Sequence, residues 1–310
     1  MTVTKATLPT SIPVANAPCS WGVLEFDLPG KALGYAQVLD EIHETGYTGT
    51  ELGDWGFMPT DPAALRRELN ARGLALLGAF VPVAFAQESA HADGEERAVK
   101  TARLMADAVG TLPFIVLADD NGKEATRTKL AGRIKPQHSL SPERWQTFSQ
   151  GVNRVADAVR RQIGLRSVFH HHCAGFIETP WEIEQLMKST DPKLVGLCLD
   201  TGHYRFGGGG NPLPAYRQFK DRIWHVHFKD CNPQVHEQSR KNDWNYFESL
   251  KHGIFCELGK GDIDFNTFAA ELKKENYPGS IVVEQDVLPG MGAPKEFARR
   301  NREFLRSCNL

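Results

Sequence analysis

Three consecutive histidines, His170-His171-His172, close the run Leu165-Arg166-Ser167-Val168-Phe169. In a strand, alternate side chains share a face, so His170 and His172 point together while His171 points the other way. Two imidazoles side by side are the start of a metal site. Three later runs end in matching chemistry. Leu197-Cys198-Leu199-Asp200 ends in a carboxylate, with His203 three residues on. Trp224-His225-Val226-His227-Phe228-Lys229 puts His225, His227 and Lys229 on one face, and Ile281-Val282-Val283-Glu284 ends in a second carboxylate. A carboxylate closing an apolar strand is costly to bury unless a cation or several donors compensate it. Each residue alone has a bland alternative: a satisfied core histidine, or a helix cap at Asp200. Four such ends in succession, His, Asp, His and Glu, point instead to one bound divalent ion. Mixed imidazole and carboxylate donors suit Mn²⁺, Co²⁺, Fe²⁺, Zn²⁺ or Mg²⁺. Upstream, Glu51 closes another apolar run, and Trp21 is either a pocket wall or a packing residue.

These residues need elements to carry them. Eight apolar runs read as strands: Ile12–Ala17, Tyr47–Leu52, Leu74–Val81, Phe114–Leu117, Arg166–His171, Leu194–Leu199, Ile223–Phe228 and Ser280–Glu284. Several are apolar on both alternations, as strands covered on both faces are. Helical patterns lie between them at Pro62–Ala71, Glu95–Val109, Pro142–Arg161, Thr179–Lys188, Phe265–Glu275 and Pro294–Arg306. The alternation predicts a single α/β domain over residues 1–310, a (β/α)₈ TIM barrel with chemistry at the C-terminal strand ends. A doubly wound sheet is the other arrangement, but no GxGxxG follows the first strand. Gly207–Gly210 reads as a flexible loop. Residues 231–262 read as a long loop insertion, of the kind that forms lids.

Composition narrows the function classes. The 310 residues are 41% apolar and 24% charged, with net charge −2. That is the profile of a globular protein, and without a basic excess no nucleic-acid partner is expected. No stretch approaches the roughly 20 apolar residues of a membrane span, and Met1–Ser11 lacks a signal-peptide core, so no membrane partner is expected either. Six scattered cysteines without a CxxC pair argue for a reducing, cytoplasmic setting. The oligomeric state is open, with a homo-oligomer through outer-helix contacts among the outcomes.

The chain resembles the xylose-isomerase-like barrel superfamily of sugar isomerases, epimerases, inosose dehydratases and type IV endonucleases. The motifs that carry the likeness are Gly46–Gly53, Cys198–His203, His225–Asp230 and Val283-Glu284. The opening Ala15–Gly22 and the triple histidine are most similar to inosose dehydratase-like members. The resemblance implies one divalent metal held by Asp200, His227, Glu284 and a fourth residue from the fifth strand. Glu-x-His is usual there, and here it reads His170-His171-His172. His170 takes the glutamate's place, which leaves open whether His170 or His172 is the ligand. The extra imidazole favours a softer ion, Mn²⁺ before Mg²⁺.

The resemblance also implies a reaction on a keto-inositol or keto-sugar. A proton α to a ketone is removed and a β-hydroxyl expelled, with an enolate stabilised by the metal. Catalytic candidates are Glu51, Lys229, His172 and His203. The base is left between Glu51 and Lys229, and the two histidines are placed on substrate hydroxyls. Trp21 and His225 are candidate substrate contacts, and Phe80, Phe176, Trp244 and Phe255 are further pocket candidates. An isomerase or epimerase would use the same parts. A DNA-repair endonuclease would need a basic surface, and a non-catalytic sugar-binding barrel could dispense with the ligands.

Overall fold

A computed structural model describes residues 12–24, 26 and 33–310. The expectation for Met1–Ser11 lies outside them. Eight strands form a closed, all-parallel barrel: β1 (Val14–Asn16), β2 (Gly49–Glu51), β3 (Ala75–Pro82), β4 (Phe114–Ala118), β5 (Ser167–His170), β6 (Val195–Asp200), β7 (Ile223–Phe228) and β10 (Ile281–Val283). They follow one another around the barrel, and β10 pairs with β1 to close it. Every one of the eight predicted runs contributes its strand. Helices α1 (Tyr35–Glu44), α2 (Pro62–Ala71), α3 (His91–Ala108), α4 (Ala125–Lys129), α5 (Pro142–Ile163), α6 (Pro180–Ser189), α7 (Thr201–Tyr204), α8 (Leu213–Phe219), α9 (Pro233–Lys241), α10 (Tyr246–Lys251), α11 (Phe265–Lys274) and α12 (Pro294–Ser307) complete the chain.

Local chemistry sets the helix ends. Asp61 caps α2 by accepting from the Ala64 N–H at 2.8 Å, and Pro62 occupies the first helical position, where its missing N–H costs nothing. Thr179 and Glu182 cap the start of α6 reciprocally. Register delivers the site. Asp200 of β6 lies opposite His227 of β7, and His227 opposite Val282 of β10, so the ends of β6, β7 and β10 come level at one mouth of the barrel.

Two expectations need correction. The 231–262 segment is not a loop. It folds as α9 and α10 against a two-stranded antiparallel ladder, β8 (Asp230–Cys231) with β9 (Phe255–Cys256). Asp230 organises its return by accepting from the N–H groups of Cys231 at 2.9 Å, Gly259 at 2.8 Å and Gly261 at 2.9 Å. Nor is Gly207–Gly210 a loose tether. Arg205–Gly209 is one widened helical turn, and a Cβ on Gly207 would sit 2.4 Å from the Glu178 carbonyl oxygen, so only glycine fits. No helix among the described residues is long and apolar enough to cross a membrane.

Behind the end of β5, Arg127 and Glu182 form a wholly buried two-pronged ion pair at 2.8 and 2.9 Å. Arg127 also donates to the Gly175 carbonyl at 2.7 Å, which clamps the loop that follows the triple histidine. Removing one partner of a buried pair strands the other charge. Arg127→Met is therefore expected to lower the unfolding free energy by about 3–5 kcal/mol in denaturant titration. A loss under about 1 kcal/mol, the value of a surface pair, contradicts this role.

Candidate active site

Four donors converge at the barrel mouth. Ligand atoms of His170, Asp200, His227 and Glu284, all buried, lie within 4.8 Å of one another. His170 Nε2 is 3.6 Å from Asp200 Oδ2, and His227 Nδ1 is 3.8 Å from the same oxygen and 3.2 Å from Glu284 Oε1. These spacings suit a shared cation better than direct hydrogen bonds. Asp200 Oδ2 and His227 Nδ1 are buried without a hydrogen-bond partner among the described residues, although each faces the other donors. The 3.2 Å approach of His227 to Glu284 lacks hydrogen-bond alignment. Buried polar atoms rarely go unpaired. Orphans aimed at a common point are what a divalent ion would satisfy, so the residues present fit such an ion.

The supporting groups fix each donor. Asp200 divides its carboxylate: Oδ1 accepts from the His203 N–H at 2.7 Å, capping α7, while Oδ2 turns to the cluster. The cap is made by one oxygen, which leaves the other available to a ligand. His227 Nε2 lies 3.0 Å from Glu51 Oε1. An ionised carboxylate only accepts, so the ring proton sits on Nε2 and Nδ1 is left for a metal. His225 Nε2 reaches the same Glu51 oxygen at 2.6 Å. Burial alone would raise the Glu51 pKa, but His227 and His225 outweigh it and bring the carboxyl down to about 2. Burial, then the charge of His227, lowers His170 to about 3, which keeps its imidazole neutral. His227 is held well above its ordinary value: burial opposes this, and Cys198, Glu284 and Glu51 outweigh it. A metal must therefore displace a proton from His227.

The remaining predicted residues sort by position. His170, His172, Lys229, Glu51 and Glu284 line a cavity of about 50 Å³ together with Cys19, Asp54, Phe80 and Asp286. Lys229 Nζ is 3.0 Å from Asp286 Oδ1, 3.1 Å from Glu284 Oε2 and 3.2 Å from His203 Nε2. Burial lowers the lysine's pKa, but Asp286, Glu284 and Asp200 more than reverse that and hold it well above the usual range. His203 sits beneath Lys229, outside the cavity lining, with its ring centroid 3.8 Å from that of His172. Its contact is with Lys229 rather than with the cavity wall where a substrate hydroxyl was expected. His172 bonds through Nδ1 to the Cys173 carbonyl at 2.6 Å, and its Nε2 lies 3.4 Å from the Tyr246 hydroxyl. His171 faces away and accepts the Asp200 N–H at 3.2 Å, a structural role.

Four further expectations change. Glu51 is committed to two histidines and orients His227, so it is not a free base. His225 lies a layer below, between Glu51 and the Phe114 ring, away from substrate. Trp21 is 2% exposed and donates to Glu41 at 2.7 Å, a packing residue behind the mouth. Of the other pocket candidates, Phe80 lines the cavity and Phe255 lies under Lys229, whereas Trp244 stacks on His252 and Phe176 lies beneath Arg127 and Arg144. Asp286 was missed as a site residue, although its place two residues beyond Glu284 was a usable signal. Tyr246 gave none, because α10 was read as loop.

Comparison with known proteins places the barrel in a family. The family described as xylose isomerase-like TIM barrel matches residues 39–308. The chain belongs to this family. It is 30% identical over 298 residues to the inosose dehydratase of Lacticaseibacillus casei (strain BL23), covering 96% of each chain. It is 32% identical over 296 residues to that of Geobacillus kaustophilus (strain HTA426), covering 94% of this chain and 93% of the relative. Among solved folds, the 3-keto-D-glucoside 4-epimerase of E. coli superposes with TM-score 0.66 at 18% identity, over 96% of this chain and 100% of that one. A probable 3-DHS dehydratase from Bacillus anthracis gives 0.67 at 15% identity, over 95% and 99%. Those two likenesses speak to the family's barrel alone.

The Glu51–His227 bond makes a specific demand. Glu51→Gln is expected to weaken Mn²⁺ binding about 10- to 100-fold in calorimetric titration. Asp200→Ala is expected to abolish it. Because His227 must shed a proton, Mn²⁺ affinity in the wild type rises with pH, and a pH-independent affinity would contradict the assignment.

Proposed function

We propose that the protein is a metal-dependent carbon–oxygen lyase that eliminates water from a keto-inositol or related keto-sugar. One observation carries the reading: Lys229 lines the same small cavity as His170 and Glu284 of the four-donor cluster. Identity of about 30% to inosose dehydratases over nearly the whole chain supports the substrate class. His170, Asp200, His227 and Glu284 would hold one divalent ion, Mn²⁺ by the balance of imidazole and carboxylate. When bound, such an ion supplies Lewis-acid polarisation of a ketone and its neighbouring hydroxyl.

Lys229 is the proton-transfer group in this reading. Its neighbours impose opposite demands. The carboxylates of Asp286 and Glu284 favour the ammonium. His203 favours the neutral amine: its Nδ1 accepts the Cys173 N–H at 3.2 Å, so its ring proton sits on Nε2 and points at Lys229. A neutral amine accepts that proton's hydrogen bond while donating to Asp286 and Glu284. A cation held by Asp200 and Glu284 would offset part of the charge that favours the ammonium, and Lys229 Nζ, as the neutral amine, would take the proton α to the ketone. The C–H electron pair becomes the enolate and then the new C=C bond. The β-hydroxyl departs with the proton returned through Lys229 and Asp286, leaving an unsaturated ketone and water. Glu51 and His203 hold their partners in place and exchange no proton with substrate.

An isomerase or epimerase on the same cluster is the second reading, favoured by the shared barrel of the keto-glucoside epimerase. Incubation of the Mn²⁺-loaded enzyme with a keto-inositol is expected to raise ultraviolet absorbance from the conjugated ketone. Lys229→Met is expected to lose about 10²- to 10⁴-fold in kcat, the range of general-base catalysis. Solvent deuterium incorporated without absorbance change would select the isomerase reading. Full turnover by Asp200→Ala would sink both.

A further inference from the structure

The cavity beside the four donors is too small for the ligand it is read to hold. At about 50 Å³ it admits about four waters. Small-molecule sites usually offer roughly 300–1,000 Å³. The missing volume lies next door. A second chamber of about 290 Å³ shares Gly53, Asp54 and Phe80 with the inner cavity and continues to Trp55, Pro82 and Lys100. Trp55 and Lys100 are shared in turn with an open groove of about 560 Å³ along α3, flanked by Pro62 and by Arg154 and Gln162 of α5. The three voids thus share walls in series, from His170 and Glu284 past Phe80 to Trp55 and Lys100 at the outer surface.

These walls have a definite chemistry. Asp54 stands at the neck. Burial raises its pKa, and no described residue hydrogen-bonds to its carboxylate, which is free to accept from a ligand hydroxyl. Beyond the neck the chamber is walled by Trp55, Phe80, Val81 and Pro82. Trp55 is 43% exposed, unusual for so large an apolar side chain, and Lys100 Nζ lies 4.3 Å over its ring. That cation–π contact steadies the indole, so little freedom is lost when a ligand packs on it. Arg97 at the rim is paired with Asp93 at 2.8 Å, which reduces its value as an anion site.

We propose that this outer chamber is a substrate subsite that takes a flat apolar substituent on a hydroxylated ring, with Asp54 holding a ring hydroxyl at the neck and Trp55 packing on the substituent. The substituent extends away from the reacting carbons, so Trp55 determines specificity without entering the chemistry. The proposal rests on the reading of the inner cavity as a keto-polyol site, and its test avoids turnover so that the two fail separately.

The probes are methyl and phenyl β-D-glucopyranoside, neither of which carries a ketone, titrated calorimetrically into Mn²⁺-loaded full-length protein. The phenyl glucoside is expected to bind at least about 10-fold tighter, the discrimination a hydrophobic pocket gives. Trp55→Ala is expected to erase that preference while leaving the affinity for the methyl glucoside and the Mn²⁺ content unchanged. Trp55→Phe is expected to retain most of it. Equal affinity for the two probes, a preference that survives Trp55→Ala, or no binding of either overturns the subsite. Tighter binding of a glucuronide than of the phenyl glucoside, lost in Lys100→Ala, overturns the apolar assignment in favour of an anion site. If the subsite result holds and keto-inositol turnover is absent, the lyase reading alone falls.

Discussion

His227 carries a carboxylate on each side, and the rest of the site depends on how that one ring is held. Glu51 lies 3.0 Å from Nε2, while Glu284 lies 3.2 Å from Nδ1. An imidazole between two carboxylates can be a cation, or it can give one nitrogen to a metal and keep its proton on the other. The second arrangement needs a rigid decision about which nitrogen is which. Glu51 makes it, because its lone pairs are fixed by His225 and His227 and leave room for no other tautomer. The parallel register then does the rest, setting Asp200 opposite His227 so that both face one point. Close packing around these groups prevents the side chains from relaxing into simple ion pairs, and the orphaned Asp200 Oδ2 and His227 Nδ1 are the trace of that restraint.

The same economy of position governs Lys229. A buried ammonium needs compensation, and Asp286 supplies it without belonging to the four-donor set. His203 below it cannot be charged, since burial and the neighbouring His172 and Lys229 keep its pKa well down. Its backbone N–H is meanwhile spent on Asp200 Oδ1. The turn Asp200–His203 thus links Asp200 to Lys229, through the His203 N–H on Asp200 and the His203 ring against the lysine.

What was legible in the sequence follows from this. Strand ends are legible because an apolar run that stops at His, Asp or Glu must answer for the cost of burying that group, and the barrel then brings consecutive ends together. Asp200, His227 and Glu284 were recoverable on that ground, while the strand-five donor was left between His170 and His172. Glu51 was recognised as unusual but its two histidine partners were not foreseen, because they are 174 and 176 residues away across the barrel and no local pattern announces them. His225 and His227 shared a face as expected, yet depth along the barrel axis put only His227 in the four-donor cluster, and periodicity carries no depth. The 231–262 segment failed for a different reason. Its helices α9 and α10 are short and very polar, and they are held by the ladder β8–β9 and the Asp230 carboxylate, all of which are tertiary.

The histidine at position 170 is the point at which this chain departs from the Glu-x-His pattern its family implies, and its consequence is electrostatic. With His170 neutral, the donor set brings two negative charges, from Asp200 and Glu284, which a divalent cation balances without surplus. A glutamate there would add a third charge within a few ångströms of both, in a site already holding Glu51 and Asp286. One lysine would then face more carboxylate than it could offset. Lys229 would be locked as an ammonium, since each nearby negative charge raises its pKa further. In the proposed reading, an imidazole at position 170 would spare Lys229 one further neighbouring negative charge, and so would link a donor of the cluster on one strand to the proton held on another.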